Sequence, residues 1–366
     1  MLRKLLASFF LFLLTLSLFA SSISAQTEPK EEVLEGEVVK VVNMQKEDPL
    51  GESYLFQDVE VKIYKGSLKS ETINIVNDRI SITNTPEYKE GDKVLILHTQ
   101  NLYDGQDVFY ITDYVRRDGL LILFIMFVIL AIAIGGKWGV SSLLGMAFSF
   151  LVIFKFILPQ IIDGKNAVLV AIVGSAIIIP VSFSLSHGLK MKTLIASAGT
   201  VIALIATGLL AYFAVNITHL TGFSSEEAAF VQTQLEGAVS TRGLLLAGMI
   251  IASLGILDDI TISQASVVSE LKKANKKYGP GQLFKKGMNV GRDHIASLIN
   301  TLVLVYAGAS LPLLLLFVNN PSPFSEVVNI EMIADEIVRT LVGSMGLILA
   351  VPITTFLAAY YYQKKL

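Results

Sequence analysis

From residue 120 onward, apolar runs of membrane-crossing length follow one another with only short charged clusters between them. A helix crossing the hydrocarbon core of a bilayer needs about 20 mostly apolar residues. Seven such segments are read: 120–134, 140–162, 167–185, 194–215, 244–262, 295–318 and 337–361. The first is short and borrows Gly135 and Gly136. In lipid every backbone amide must be bonded internally, so these segments are expected to be helices. Charged residues make up 16% of the chain, below the roughly 25% of soluble domains, and they are dense only between residues 26 and 118. The expectation is therefore an α-helical polytopic membrane protein carrying an N-terminal small all-β domain, with boundaries near 30–117 and 118–366.

Residues 1–25 have the layout of a secretory signal. Arg3 and Lys4 precede an apolar run from 5 to 20, and Ser21-Ser22-Ile23-Ser24-Ala25 follow. Cleavage after Ala25 and retention as a signal anchor both place residue 30 onward outside the cytoplasm. Within the outer domain, 33–42, 54–64, 72–76, 93–97 and 108–114 read as strands rich in Val, Ile, Tyr and Phe, separated by polar breaks. Val59, Val61 and Ile63 alternate with Glu60, Lys62 and Tyr64, so one face is buried and the other wet. Five short strands in this length suggest a small closed barrel, OB-like in outline. No basic, aromatic-studded face accompanies them, and the net charge is −2. A structural or protein-contact module is expected, without nucleic acid.

Loop charges orient the chain. With the β domain outside, Lys137, Lys190, Lys192, the lysines of 272–286, Arg292 and the tail Lys364-Lys365 fall inside. The connection at 319–336 is acidic, with Glu326, Glu331, Asp335 and Glu336. Excess Lys and Arg marks cytoplasmic loops, so the expected location is a cell membrane, with a cytoplasmic loop near 265–292 and a cytoplasmic C-terminus. Arg116 and Arg117 are the local exception. Residues 265–275 read as a continuation of the fifth span, and Ser224-Ser225-Glu226-Glu227 as a helix start.

Ionisable residues inside spans are costly and therefore candidates for function. Asp258 and Asp259 lie in the inner third of span five. Gly248, Ala252, Gly255 and Asp259 share a helix face whose small residues suit close packing, which points Asp259 into the bundle and turns Asp258 about 100° away. In span six, Asp293, Ser297 and Asn300 share a face, and Arg292 could neutralise either carboxylate. In span seven, Glu336 and Arg339 have the spacing of a pair, and Gly343 and Gly346 indicate tight packing. Asp259 fits a proton or ion relay or a substrate path, and equally a polar network that sets helix register; Asp293 and Asn300 fit the structural network better, and Arg339 reads as an ordinary ion pair near the outer interface. Ala196, Gly199 and Ala203 read as packing.

No zinc-protease, nucleophile-elbow or phosphate-loop motif is present, so no catalytic role is expected. Asp259 and Asp293 lie on different spans, as an aspartyl intramembrane protease would need, but their flanks mark no such site. The chain has no cysteine, which excludes disulfides and thiolate chemistry. His98, His187, His219 and His294 lack metal-ligand spacing, and no cofactor is implied. The expected partners are the lipid bilayer, an ion or small solute, and another membrane protein.

Several strings together resemble the YibE/F-like family of membrane proteins. They are Leu254-Gly255-Ile256-Leu257-Asp258-Asp259, Gly287-Met288-Asn289-Val290-Gly291-Arg292-Asp293, Asn300-Thr301-Leu302, Ser310-Leu311-Pro312-Leu313-Leu314-Leu315-Leu316, Asn329-Ile330-Glu331, Glu336-Ile337-Val338-Arg339, Leu341-Val342-Gly343-Ser344 and Ala350-Val351-Pro352. The similarity runs from about Gly119 to the C-terminus. The family's aspartate corresponds to Asp259, whereas an apolar residue is usual at the position of Asp258. The resemblance implies a multi-pass bacterial membrane protein with an outer β domain and implies no particular activity. The functional expectation is a permease-like or transport-associated protein; the alternative is a membrane scaffold or assembly factor that binds partners through its outer β domain and basic inner loop.

Overall fold

The computed structural model describes residues 31–47, 53–77, 87–101, 105–224, 226–235, 237, 239–319 and 321–365. The targeting segment expected at 1–25 lies outside them. Two compact units divide the chain, Met1–Ile129 and Leu130–Leu366.

The first unit contains β1 (Glu32–Glu47), β2 (Ser53–Lys65), β3 (Thr72–Asn77), β4 (Lys93–Gln100) and β5 (Asp107–Tyr114). The strands pair antiparallel in the order β3-β2-β1-β4-β5. Alternation along β2 buries Val59, Val61 and Ile63 against Leu34, Val38, Val94 and Ile96. β1 is long enough to serve two neighbours, and its register slips between Val38 and Lys40. Such a bulge bends and twists a strand, which curls the sheet. At Gly36 a Cβ would overlap the Val61 side chain, so only glycine lets β1 approach β2 there. The two edge strands, β3 and β5, come into contact without ladder hydrogen bonds among the described residues. The sheet is a half-closed barrel rather than the closed one expected, because β3 and β5 meet without pairing.

The second unit is helical. Its first helix, α1 (Arg117–Val152), begins in the β unit's half of the chain and runs through a π-helical turn, Ile153–Ile157, into α2 (Leu158–Ile162). Gly136 interrupts α1 with φ 54° and ψ −128°, a conformation open to glycine and costly for other residues. The bend brings Gly139 so close to Ala131 that a Cβ at 139 would overlap the Ala131 carbonyl. Then follow α3 (Ala167–His187), α4 (Met191–Ile217), α5 (Glu226–Gln234), α6 (Thr241–Ala274), α7 (Pro280–Ala309), α8 (Leu311–Val318), α9 (Phe324–Val327) and α10 (Glu331–Lys365).

Local chemistry sets these limits. Asn166 caps α3 by accepting from the Leu169 amide at 3.1 Å, and Ser240 caps α6 by accepting from Gly243 at 3.1 Å. Each satisfies one of the amides a helix start leaves unpaired. Lys272 is buried and donates to the carbonyls of Lys276 and Tyr278 at 2.8 and 3.1 Å. Those bonds turn the chain after α6, so within 265–292 only Asn275–Gly279 lies outside helices.

Five helical stretches are long and apolar enough to cross a membrane: Arg117–Ile162, Ala167–His187, Met191–Ile217, Thr241–Ala274 and Glu331–Gln363. The pair α7 and α8, bent by 77° at Ser310, makes a sixth if counted as one span. The seven segments read from hydropathy differ from this count at α1. There the sequence shows two apolar runs, and the chain joins them in one helical stretch of 46 residues bent at Gly136.

The core is made by α4, α6 and α10, each with more than half of its apolar window buried. Small residues let α4 and α10 approach closely. A Cβ at Gly199 would overlap Thr354, and one at Gly346 would overlap Thr207. Ala196, Ala203 and Ala211 are fully buried on the same α4 face. Without a hydrophobic drive between helices in lipid, this close van der Waals packing supplies the association. Gln264 ties three helices together from α6, donating to the Gly287 carbonyl at 2.8 Å and to Thr355 Oγ1 at 2.7 Å.

Candidate functional site

Two cavities lined in part by carboxylates open along one face of α6. The first, about 520 Å³, is lined by Asp258, Asp259 and Gly255 of α6, by Ser182, Ser186 and His187 of α3, and by Trp138 and Ser142 beyond the α1 bend. Glycines create the space and bring its walls together. A Cβ at Gly255 would have nothing within 4 Å, whereas at Gly145 it would lie 3.2 Å from Ser182 Oγ. α1 therefore approaches α3 through Gly145, and the cavity opens beside Gly255.

The carboxylates occupy different environments. Asp259 is exposed to the cavity; Asp258 is half-buried, and its Oδ1 has no hydrogen-bond partner among the described residues. The helix face of Gly248, Ala252, Gly255 and Asp259 was expected to pack against a neighbour and carry Asp259 into the bundle. Instead Ala252, Gly255 and Asp259 are exposed. Leu257, Ile260 and Thr261 form the buried arc of α6 here, with Thr261 meeting Thr200 at 2.7 Å. The apolar arc seats against the core, so the small-residue arc faces outward.

The second cavity, about 600 Å³, lies at the N-terminal end of α6. Asp335, Glu336 and Arg339 of α10 line it, with Glu226 and Glu227 of α5 and Gly248 of α6. Arg339 Nη2 donates to Asp335 Oδ2 at 3.1 Å, and its Nε lies 3.6 Å from Glu336 Oε1. Ser224 Oγ donates to the same Asp335 oxygen at 2.8 Å. Glu331 holds the preceding loop by accepting from the amides of Thr221 and Gly222 at 2.6 and 2.9 Å. The expected Glu336–Arg339 pair is present, yet the shorter contact is to Asp335, one position earlier and buried.

Gly248 lines the second cavity, and Gly255 and Asp259 line the first. Seven residues of helix, about 10 Å, separate Gly248 from Gly255, with exposed Ala252 between them.

The stripe on α7 stands apart. Arg292, Asp293 and Asn300 are exposed and line neither cavity. Among the described residues no ion pair joins Arg292 to Asp258, Asp259 or Asp293, so the expected neutralisation is absent. The reason is that α7 packs on the core through the opposite side, where Gly287 and Gly291 meet Gln264. His187, the serines of α3 and Asp335 were not expected as site residues, His187 being noted only for its lack of metal-ligand spacing and Asp335 only as a loop charge, because such groups near a helix end carry no signal until their neighbours are known. No group of three or more His, Cys, Asp or Glu able to hold a metal ion occurs among the described residues.

A bundle of long apolar helices with carboxylates facing cavities defines a polytopic membrane protein. The family pattern described as YibE/F-like protein matches residues 123–364. The chain belongs to that family, as the strings at 254–259, 287–293 and 336–344 indicated. No curated protein and no solved structure matches it.

Proposed function

We propose that this protein is a permease-like transporter whose moving charge is carried at Asp258 and Asp259. The observation that supports this reading is that both carboxylates line an open cavity instead of being sealed by packing. An ionisable group held at membrane depth is costly unless it serves a path or a partner. A second cavity, lined by carboxylates and apolar side chains, shares the same α6 face, which fits a route along the helix. In this reading the β domain lies outside a bacterial cell membrane, the C-terminus is cytoplasmic and the protein is not an enzyme. Its partners are the bilayer and a small solute or ion.

Flux into proteoliposomes tests it. Liposomes containing the full chain and an entrapped pH-sensitive dye are given a membrane potential in mixed alkali, ammonium and alkaline-earth chlorides. Potential-driven pH change above that of empty liposomes is expected, falling at least tenfold in Asp259→Asn and Asp258→Asn proteins that fold normally. Wild-type liposomes indistinguishable from empty ones would sink the reading. The exposed stripe of Asp293, Ser297 and Asn300 on α7 favours a second reading, a membrane scaffold that docks a partner there. Unchanged flux in both aspartate variants, with loss of a co-purifying partner in Asn300→Leu, would favour it.

A further inference from the structure

The cavity around Arg339 has an excess of negative charge. Asp335, Glu336, Glu226 and Glu227 line it against a single guanidinium, that of Arg339. That guanidinium is already engaged by Asp335 Oδ2 and Glu336. Glu226 and Glu227 make no ion pair among the described residues and are exposed at the start of α5. Asp335 itself is 4% exposed, and its Oδ1 has no hydrogen-bond partner among the described residues. A buried carboxylate oxygen left without a donor is destabilising; Oδ1 is enclosed, but Asp335 lines the cavity, and a turn of its carboxylate presents that oxygen to a ligand donor. It is an observation independent of the acidic cluster, since it concerns the unmet bonding of one buried atom.

Two further features define what donor fits. The carboxylates do not converge as a metal-binding group among the described residues. Leu244, Leu313, Leu316 and Met332 also line the cavity and give it an apolar surface. Bare cations are bound by converging oxygens, while ligand pockets combine apolar walls with a few placed polar groups. We propose that this cavity binds an organic cation bearing a primary ammonium. The ammonium donates to Asp335 Oδ1, Glu226 and Glu227 supply further negative charge at the mouth, and the carbon chain lies along Leu244, Leu313 and Met332. The proposal deepens the transport reading and rests on it for the meaning of the ligand as a substrate, whereas binding itself is measurable without flux.

Calorimetric titration of the full chain in lipid nanodiscs tests it, with n-butylammonium and methylammonium chloride as probes and sodium and calcium chloride as controls. Saturable n-butylammonium binding is expected, with affinity rising about threefold per added methylene from the apolar wall. Asp335→Asn weakens it at least tenfold, and the double variant E226Q/E227Q weakens it about threefold through the lost charge at the mouth. Absence of n-butylammonium binding to the wild type overturns the proposal, as does calcium binding that displaces it. Equal affinity in a folded Asp335→Asn protein also overturns it. If that variant does not fold, the exposed pair E226Q/E227Q and the chain-length series decide. Amine binding without flux would keep this site and sink the transport reading; flux without amine binding would sink the site alone.

Discussion

Glu35 illustrates how one side chain can be necessary to its unit. It is 6% exposed in the β sheet. Arg117 donates to both of its oxygens at 2.6 Å, and Lys65 donates to one at 2.8 Å. The Arg117 hydrogen bonds, aided by Lys65, hold its carboxyl down at about 2, against the burial that alone would raise it. The folded unit therefore keeps Glu35 ionised where an unfolded chain would bind a proton. Its stabilisation is complete above about pH 4.5 and is lost as pH falls toward about 2, and is worth about 1–3 kcal/mol. Hydrogen exchange at β1 amides, corrected for intrinsic rates, should show protection falling over that interval in the wild type. Glu35→Gln should be less protected at pH 7 and lose less protection on acidification, only the lowered carboxyls of Glu32, Asp107 and Asp113 remaining to titrate; parallel pH curves for the two proteins would refute the role. This pairing also explains Arg117 beside a membrane helix on the side expected to lack positive charge, because its charge is neutralised. Asn300 is the opposite case, a polar residue outside both cavities, and Asn300→Leu should leave flux unchanged. A large loss there would mean that the path runs along α7.

Among elements, the glycines of the helical unit divide into two kinds that composition cannot separate. Gly199 and Gly346 bring α4 and α10 into contact, and a side chain at either meets a threonine at once. Gly255 faces open space on α6. Gly199→Leu should therefore cost about 1–3 kcal/mol through overpacking and lower the melting temperature of the detergent-solubilised chain. Gly255→Leu should melt as the wild type does and lose flux by narrowing the cavity beside Asp258 and Asp259. The reverse pattern would show that these faces are misassigned. α6 itself is the element on which most depends. Its apolar arc packs on α4 and α10, Gln264 ties it to α7 and α10, and its small-residue arc lines both cavities.

At the scale of the whole molecule, the chain is one small curled sheet and one helical bundle, each with its own core. The charge distribution between spans predicts which side each end occupies. A reporter active only outside the cell should work when fused near Asn101 and fail near Lys276. The opposite result would invert the topology, and with it the side from which the Arg339 cavity opens.

The sequence by itself determined the kind of structure each segment adopts. Strands appear within a few residues of where the β-rich runs lie, since alternation and turn residues act locally. The apolar runs became helices because lipid and buried packing leave the backbone no other way to satisfy its amides. The family was legible for a similar reason, as its strings are short and contiguous. Tertiary structure decided which arc of each helix faces which neighbour. Helical spacing correctly grouped Gly248, Ala252, Gly255 and Asp259, but spacing measures angles between residues and contains no reference direction. Only the seating of Leu257, Ile260 and Thr261 against the core turned that stripe outward, set Asp258 deeper than Asp259 and placed both beside His187. The same holds for Asp335 outcompeting Glu336 for Arg339, and for Glu35 meeting Arg117 from 82 positions away. Those contacts are made by the fold and leave no trace in local sequence.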